Sequence, residues 1–295
     1  MPKVSVIIPC YNQGQYVDEA VDSVLGQTFQ DFEIIIVNDG STDEYTNEKL
    51  KNYNKPKTRI IHTTNQGLAA ARNNGIKASC GEYILPLDAD DRIGIEYLEK
   101  TVEILDSNNN IGIVYCEAEY FGEKTGKWHI PDFSIEKILS ENLIFCSAFF
   151  RRNDYDKTIG YNSNMLYGWE DWDFWLTLIE HGIDVHKINI TCFFYRIKQN
   201  SMTKNIDVRI RNFLYGKIYE NHNKLYQKHF PNPIVLLHEK TKYENEVIRL
   251  NAKLDALYKK NHSDLLLLES FSQSIDYKIG HALLKPFRYI KRSLK

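Results

Sequence analysis

The acidic residues that follow one apolar segment are the first candidates for chemistry in this chain. Asp88, Asp90 and Asp91 come directly after Tyr83–Leu87, whose large apolar side chains are typical of a buried strand. Acids at the carboxyl end of such a strand would lie where open α/β folds bind ligands. Because Asp88 and Asp90 are two residues apart, an extended chain directs both to the same side, where they can share a divalent cation. The alternative is a solvated acidic turn.

A second acidic cluster lies among tryptophans in the segment Gly168–Trp175. Carboxyl groups among aromatic side chains should have raised pKa values, which suits a general base. The flat faces of Trp169 and Trp172 suit sugar rings. The alternative is the start of an amphipathic helix, with Glu170 and Asp171 at the positive end of the helix dipole.

Polar residues also follow the predicted strands earlier in the chain. Tyr11 could stack on a flat base, and Asp39 could accept a hydrogen bond from a base N–H. Arg72 lies among small residues and offers a fixed cation to a phosphate or to an acid. The structural alternatives are a core position for Tyr11 and a salt bridge between Arg72 and Asp88.

The elements that must position these residues alternate in the first third of the chain. Strands are predicted at 4–8, 32–37, 59–62 and 82–87, and helices at 15–25, 42–53 and 67–78. Such alternation predicts a mostly parallel sheet with helices on both faces. Because right-handed crossovers bring the carboxyl ends of parallel strands to one edge, Pro9, Asp39 and Asp88 should converge.

The alternation becomes looser after residue 92. A helix is predicted at 95–105, strands at 111–115 and 143–150, a helix at 168–180 and a strand pair at 185–196. From about residue 207 the chain is helical and charged. There, Val247, Leu250, Leu254 and Leu257 follow a 3-4-3 spacing that Asn261 and Asp264 interrupt, so we expect a helix that packs on its own domain rather than a coiled coil.

Composition narrows the functional classes. A net charge of −2 over 295 residues argues against a general nucleic-acid binder, and the five scattered cysteines favour buried thiols over a disulfide framework or a zinc site. Neither a signal peptide nor an apolar run of the ~20 residues needed to span a membrane is evident. The tail 278–295 carries six Lys and Arg, no acid and interleaved apolar residues. It is predicted to contact an anionic membrane surface, the alternative being a solvated helix.

The polar clusters, taken in order, resemble the nucleotide-sugar half of glycosyltransferase family 2, the inverting enzymes with the GT-A fold. The clusters are Pro9–Asn12, Asn38–Asp43, Asn65–Asn73 and Asp88–Asp90, and Val4–Asn12 is close to a signature opening. The resemblance covers about residues 2–203. It implies an α/β nucleotide-diphospho-sugar transferase fold over 1–205, with a nucleotide-binding half (1–92) and an acceptor half (93–205). A helical C-terminal extension would occupy 206–295.

The resemblance also implies roles for individual residues. Tyr11 and Asp39 would hold the base, usually uracil, in a pocket that Pro9, Asn12 and Arg72 help to form. Asp88 would contact the ribose, and Asp90 would bind a divalent metal, Mn²⁺ or Mg²⁺, that bridges the diphosphate.

On the acceptor side, the resemblance implies that Asp171 deprotonates the acceptor hydroxyl and that Glu170 orients the acceptor beside Trp169 and Trp172. A loop carrying Arg196, Lys198 and Ser201 would close over the diphosphate. Lys198 stands where relatives often carry a histidine, two residues after the arginine. A third protein ligand for the metal is therefore unassigned.

The implied activity is inverting transfer of a sugar from a nucleotide-diphosphate sugar, typically a UDP-sugar, to a glycan or lipid-linked acceptor. The expected pathway is the synthesis of cell-surface polysaccharide or lipopolysaccharide. The enzyme is expected to work in the cytoplasm, at the inner face of the cell membrane. Whether it is a monomer or a homodimer is left open. Two alternatives are a non-catalytic nucleotide-sugar-binding module and a sugar nucleotidyltransferase. The second would need a cationic triphosphate-binding loop, which the segment Pro9–Gly14 lacks.

Overall fold

The structure is a computed structural model that describes residues 1–198, 207–230 and 232–274, with side chains described as far as residue 266. Ser201 and the basic tail 278–295 therefore lie outside the described residues. The chain divides into two compact units, Met1–His229 and Phe230–Lys295. The catalytic candidates all belong to the first unit.

A parallel sheet forms the first third of the chain, as predicted. Its strands are β1 (Val4–Cys10), β2 (Phe32–Asp39), β3 (Thr58–Thr63) and β4 (Tyr83–Pro86), in the spatial order β3-β2-β1-β4. The runs of Val and Ile in β1 and β2 are buried on both faces, which is why they form central strands. The first strand does not end at Pro9: it continues to Cys10, and Pro9 lies opposite Val37 in the parallel register.

Three helices cover this sheet at nearly the predicted positions. They are α1 (Val17–Leu25), α2 (Glu44–Lys51) and α3 (Leu68–Ala78). The apolar stripe of α1 is fully buried, and Asp43 caps α2 by accepting a hydrogen bond from the Thr46 N–H at 2.8 Å. Helix α3 packs closely on β1 and β2 through Gly75, where a side chain would meet Ile7 and Val37.

The second half extends the same sheet with mixed strand directions. Its elements are β5 (Arg92–Ile93), α4 (Tyr97–Ser107), β6 (Ile111–Gly122), β7 (Gly126–Trp128), α5 (Ile135–Ile138), β8 (Phe149–Arg151), α6 (Arg152–Tyr155), α7 (Glu170–Glu180) and β9 (Asp184–Ile197). The sheet continues from β4 in the order β8-β6-β9-β5, and β7 pairs with β6. Strand β8 is antiparallel to β4 and β6, so this half departs from the predicted mostly parallel arrangement.

Two sequence predictions in this half are wrong. The strand expected at 143–150 is limited to Phe149–Arg151, and its earlier apolar residues form a buried loop. There the Ile144 carbonyl accepts a hydrogen bond from Trp175 Nε1 at 2.9 Å, so tertiary contacts replace the strand ladder. The strand pair expected at 185–196 is the single long strand β9, which pairs with both β6 and β5.

Two helices after the undescribed segment 199–206 belong to the first unit. They are α8 (Val208–Asn221) and α9 (Asn223–His229), and their residues Leu214, Ile218 and Leu225 are buried. The compact unit therefore extends to His229, beyond the boundary at 205 that the sequence suggested. The physical reason is this apolar burial, which a charged and weakly patterned segment did not reveal.

The second unit is described over one long helix, α10 (Pro233–Ser274). Val247, Leu250, Leu254 and Leu257 are between 49% and 57% exposed, so the expected burial of this stripe against its own domain is not observed. Among the described helices, none has both the length and the apolar character that crossing a bilayer requires.

The close approach at Gly75 gives a test of the packing between α3 and the sheet. In Gly75→Ala, the new Cβ would overlap Ile7 Cγ2 and lie 2.9 Å from Val37 Cγ2. We expect this overpacking to lower the free energy of unfolding by about 1–3 kcal/mol, measured by urea denaturation. The matched control is Gly216→Ala in α8, where a Cβ meets no atom within 4 Å; it should stabilise by about 0.5–1 kcal/mol. Equal effects of the two substitutions would contradict the packing described.

Candidate functional site

One cavity of about 690 Å³ lies at the carboxyl ends of β1, β2 and β4 and extends to the start of α7. Its volume is in the range of sites for small ligands and cofactors. It brings together most of the residues singled out in the sequence. These are Pro9, Tyr11, Asp39, Arg72, Asp88, Asp90, Trp169, Glu170, Asp171, Arg196 and Lys198.

Asp39 and Tyr11 lie on one side of this cavity. The buried Asp39 carboxylate accepts hydrogen bonds from Thr63 Oγ1 (3.1 Å) and from the N–H groups of Gln66 (3.2 Å) and Gly67 (3.0 Å). Two carboxylate oxygens offer about four acceptor positions, so one remains for a ligand N–H. Tyr11 is 44% exposed, which excludes the core position that the sequence left open for it.

Asn12 does not line the cavity, although it was predicted as a donor-binding residue. Its side chain joins the ends of β1 and β2: Oδ1 accepts from the Thr42 N–H (2.7 Å) and the Asp43 N–H (3.2 Å). Nδ2 donates to Thr42 Oγ1 at 3.0 Å. Asn12 itself has a left-handed backbone (φ 53°), which asparagine tolerates better than most residues. Its position fits a structural role in holding the loop beside Asp39.

Arg72 links the two halves of the cavity. Its guanidinium is buried and donates through Nη2 to Asp88 Oδ1 (2.8 Å) and through Nη1 to Glu170 Oε1. Burial by itself lowers the pKa of Arg72, and the charges of Asp88 and Glu170 more than offset this effect, so the guanidinium stays protonated. The salt bridge to Asp88 is the structural alternative that the sequence analysis named, and Arg72 also lines the cavity.

The acidic turn after β4 is held by two basic residues from the end of β9. The Asp91 carboxylate accepts from the Arg196 N–H at 2.8 Å, and Arg196 Nε donates to the Asp90 carbonyl at 2.7 Å. Lys198 pairs with the Asp90 carboxylate. Burial and the charge of Asp88 raise the pKa of Asp90, and burial and the charges of Asp90 and Asp88 raise that of Asp91 still further.

The acidic turn and a nearby cysteine offer some of the ligand atoms that a divalent cation could use. Asp88, Asp91 and Cys146 each offer a ligand atom, and these atoms lie within 4.8 Å of one another. Asp91 Oδ2 is buried with no hydrogen-bond partner among the described residues, and carboxylate oxygens suit Mg²⁺ or Mn²⁺. Asp90, the predicted ligand, is not in this group, and its carboxylate pairs with Lys198. The residues fit a bound cation if Lys198 releases Asp90.

Asp171 stands at the other side of the cavity, in the first turn of α7. Asn142 Nδ2 donates to its Oδ2 at 3.2 Å, and its own neighbour Trp172 donates a backbone N–H to Oδ1 at 2.8 Å. Burial, followed by the charge of Glu170, raises the pKa of Asp171 to about 7. A carboxyl group with this pKa exchanges a proton readily near neutral pH. Glu170 is buried, and its Oε1 is engaged by Arg72.

The two tryptophans predicted for the acceptor have different positions. Trp169 lines the cavity, precedes α7 in a left-handed conformation (φ 61°) and packs against Tyr215 of α8. Trp172 is 2% exposed, and its indole donates to the Ile138 carbonyl at 2.7 Å. The prediction that Trp172 contacts the acceptor is therefore wrong, because its ring belongs to the core.

Sequence reasoning missed several residues that line the cavity. Trp128, Phe145, Phe193 and Tyr195 form an aromatic wall, with Phe145 and Phe193 stacked at 4.2 Å between ring centroids. Trp128 is only partly buried and lies in the short strand β7, where its isolated position gave no signal. Cys146 lies in the segment 143–150 that was wrongly predicted as a strand, and Asn142 directly precedes that segment. Cys146 Sγ lies 3.3 Å from Asp88 Oδ2.

The chain is similar in sequence to known glycosyltransferases. The model of the family described as Glycosyl transferase family 2 matches residues 5–169. A chondroitin synthase of Escherichia coli is 29% identical over 255 residues, covering 84% of this chain and 37% of that protein. An uncharacterized glycosyltransferase of Haemophilus influenzae is 34% identical over 210 residues, covering 68% of this chain and 71% of that protein. The chain thus spans little more than a third of the length of the chondroitin synthase.

Among solved structures, the chain is similar to residues 1–349 of Staphylococcus aureus TarS in complex with UDP-GlcNAc. The TM-score is 0.60 at 19% identity, over 78% of this chain and 73% of that one. This likeness, with the family match, confirms the predicted GT-A fold.

The buried bridge through Arg72 can be tested by removing its charge. Arg72→Met would leave Asp88 and Glu170 without their shared cation, and we expect a loss of about 3–5 kcal/mol in the free energy of unfolding. Lys100→Met removes an exposed partner of Glu103 and is the matched control, with little change expected in the free energy of unfolding. Urea denaturation of both variants measures the difference. If Arg72→Met lowered the free energy of unfolding no more than the control does, the salt bridges of Arg72 would not stabilise the fold.

Proposed function

Because the chain belongs to glycosyltransferase family 2, we propose that it transfers a sugar from a nucleotide-diphosphate sugar to a hydroxyl group of a glycan or lipid-linked acceptor. One observation supports this proposal above the others. A single cavity contains a base-binding candidate (Asp39), an acidic turn suited to a cation (Asp88 and Asp90) and a carboxyl group with a pKa near neutrality (Asp171). The base of a donor nucleotide requires the first of these groups, the diphosphate requires the cation, and the acceptor hydroxyl requires the general base.

The donor is proposed to be a UDP-sugar. Asp39 has an acceptor position left for the N–H of a uracil ring, and Tyr11 is exposed beside it with a face on which a base can stack. The related TarS structure was solved with UDP-GlcNAc, which supports the choice of nucleotide. Asp88 lines the cavity beside Arg72, where it could accept a hydrogen bond from a ribose hydroxyl.

A divalent cation, Mn²⁺ or Mg²⁺, is proposed to bind at the acidic turn. Asp88 and Asp90 would hold it, and when bound it would neutralise the charge of the departing diphosphate. Lys198 would then be freed from Asp90 to face the phosphate oxygens. Arg196 would keep the turn in place through the Asp90 carbonyl and Asp91 instead of binding phosphate directly. Ser201, the other predicted phosphate contact, lies outside the described residues.

Asp171 is proposed as the general base of an inverting displacement. Its carboxylate takes the proton of the acceptor hydroxyl as that oxygen attacks the anomeric carbon and the bond to the diphosphate breaks. Asn142 fixes one oxygen of Asp171, and Glu170 acts as a positioning residue because it ties the start of α7 to Arg72. Since the attack comes from the face opposite the leaving group, a single base suffices and the configuration inverts.

Trp169 and the aromatic wall are proposed to hold the acceptor. Relatives named as chondroitin and hyaluronan synthases support a polysaccharide as the product class. The exposed face of Trp128 and the ring of Trp169 offer surfaces on which a pyranose ring can stack. The setting is proposed to be the inner face of the cell membrane, a view that rests on the basic composition of the tail 278–295.

The role of Asp171 predicts both a mutational effect and a pH dependence. Asp171→Asn should bind a UDP-sugar as the wild type does but lose about 10²–10⁴-fold in transfer rate. Because only the carboxylate can accept the proton, kcat/KM of the wild type should fall about tenfold per pH unit below about 7 and level off above it. Transfer measured by release of UDP checks both. Full turnover by Asp171→Asn would contradict the assignment, and donor binding without transfer by the wild type would favour a non-catalytic binding module.

The role of the acidic turn predicts a metal-dependent affinity. Asp90→Asn should weaken donor binding about tenfold or more in the presence of Mn²⁺, because one oxygen ligand and its charge are lost, and should change it little in EDTA. Calorimetric titration with UDP measures the affinity. The matched control is Asp22→Asn in α1, which changes a carboxylate paired with Lys55 away from the cavity. Equal affinities of Asp90→Asn and wild type with Mn²⁺ would remove Asp90 from the metal site.

A further inference from the structure

We propose that α10 pairs with the same helix of a second copy of this chain, in antiparallel orientation. Such pairing would be independent of the catalytic roles proposed above. Among the described residues, an apolar stripe along α10 is exposed. The stripe consists of Leu236, Tyr243, Val247, Leu250, Leu254 and Leu257, whose exposed fractions lie between 45% and 65%.

The spacing of this stripe is that of a helix-pairing surface. From Leu236 to Asn261 the positions recur in alternating steps of four and three residues, which is the a/d pattern of a two-stranded coiled coil. Only Lys240 and Asn261 interrupt it with polar side chains. At 1.5 Å per residue the stripe from Leu236 to Leu257 is about 32 Å long. An exposed apolar surface of this size on a long helix indicates an interaction site.

In the antiparallel register proposed here, the core positions of one copy face apolar positions of the other. Val247 lies opposite Leu250 of the other copy, and Tyr243 opposite Leu254, so that the four central layers are apolar. Lys240 lies opposite Leu257, and Leu236 opposite Asn261, so that the polar side chains fall in the outer layers. There a lysine can extend its charged end into water along an apolar stem.

The charges that flank the stripe select this orientation. The flanking residues are acidic in the first part of the helix, at Glu239 and Glu246, and basic in the second part, at Lys253 and Lys260. The same register brings Glu246 to Lys253 of the other copy and Glu239 to Lys260, each pair occurring twice by symmetry. Within one helix Glu246 pairs with Arg249 and Glu239 with Lys242, but such exposed pairs are weak and readily exchanged.

A parallel pair in register would be less favourable. It would place the two copies of Lys240 against each other in the core, and it would bring Glu239 beside Glu244 of the other copy. Glu246 would face Asn251, and Lys253 would face Tyr258, so that no complementary charge pairs would form. Charge pattern and core pattern therefore agree on the antiparallel arrangement.

Charge exchange tests the orientation directly on the full chain. The single variants Glu246→Lys and Lys253→Glu each create like-charge pairs, so both should dissociate at least tenfold more readily than the wild type. The double variant should dimerise again because its pairs are complementary once more. An equimolar mixture of the two single variants should also form a heterodimer, because each supplies the charges that the other needs. Sedimentation equilibrium measures the mass, which is 34.6 kDa for one chain.

Lys259→Glu, on the outward face of the same helix, is the matched control and should leave the wild-type dimer intact. Circular dichroism verifies that each variant keeps its helical content. A wild type that stays monomeric at micromolar concentration would overturn the proposal, as would a higher oligomer. The antiparallel register would be excluded if neither single variant weakened the dimer. It would also be excluded if the two single variants, mixed together, formed no heterodimer.

Discussion

The salt bridges of the buried Arg72 are the interaction on which the geometry of the site depends. Its guanidinium joins Asp88, after β4, to Glu170, at the start of α7, so that the acidic turn and the proposed base share one cation. A charge buried this deeply is tolerated only because both carboxylates are within hydrogen-bonding distance. A lysine could not replace it, since a single ammonium lacks the fork that reaches two acids at once.

The same bridge explains the uneven electrostatics of the cavity. Arg72 compensates Glu170 and Asp88, Lys198 compensates Asp90, and Asn142 gives Asp171 a neutral hydrogen-bond donor. Burial and the charge of the neighbouring Glu170 raise the pKa of Asp171 to about 7. Among the described residues, Asp91 Oδ2 is buried without a hydrogen-bond partner at the acidic turn. The site thus has an unsatisfied carboxyl oxygen where a cation is proposed to bind and, at Asp171, a carboxyl group with a pKa of about 7 where a proton is proposed to be taken.

Much of this arrangement could be predicted from residue order. Strands rich in Val and Ile, with polar residues after each, were enough to place Asp39 and Asp88 at one edge, because parallel crossovers leave little choice. Trp169 and Trp172 could not be distinguished in this way. They are three residues apart, and only the packing of α7 against α5 and α8 decides that one faces the cavity and the other the core.

Other features depended on contacts between distant segments. The loop with Asn142 and Cys146 has the composition of a strand, yet Trp175 takes the Ile144 carbonyl that a ladder would have used. The bonds of Arg196 to the acidic turn join residues far apart in sequence, as do those of the Asn12 side chain to the loop after β2. In α10, the apolar spacing was visible in the sequence, but the exposure of the stripe was not. Local sequence patterns predict helices and strands, whereas contacts between distant residues become known only from the three-dimensional structure.

Binding of the donor tests the account most directly. Thermal shift assays should be run with a panel of nucleotide-diphosphate sugars, with and without Mn²⁺, on the wild type and on Asp39→Asn. We expect UDP-sugars to raise the melting temperature, Mn²⁺ to increase the shift, and Asp39→Asn to abolish the preference for uridine. The absence of a shift with every nucleotide sugar, in the presence of Mn²⁺ as well as without it, would contradict the assignment of this cavity as a nucleotide-sugar site.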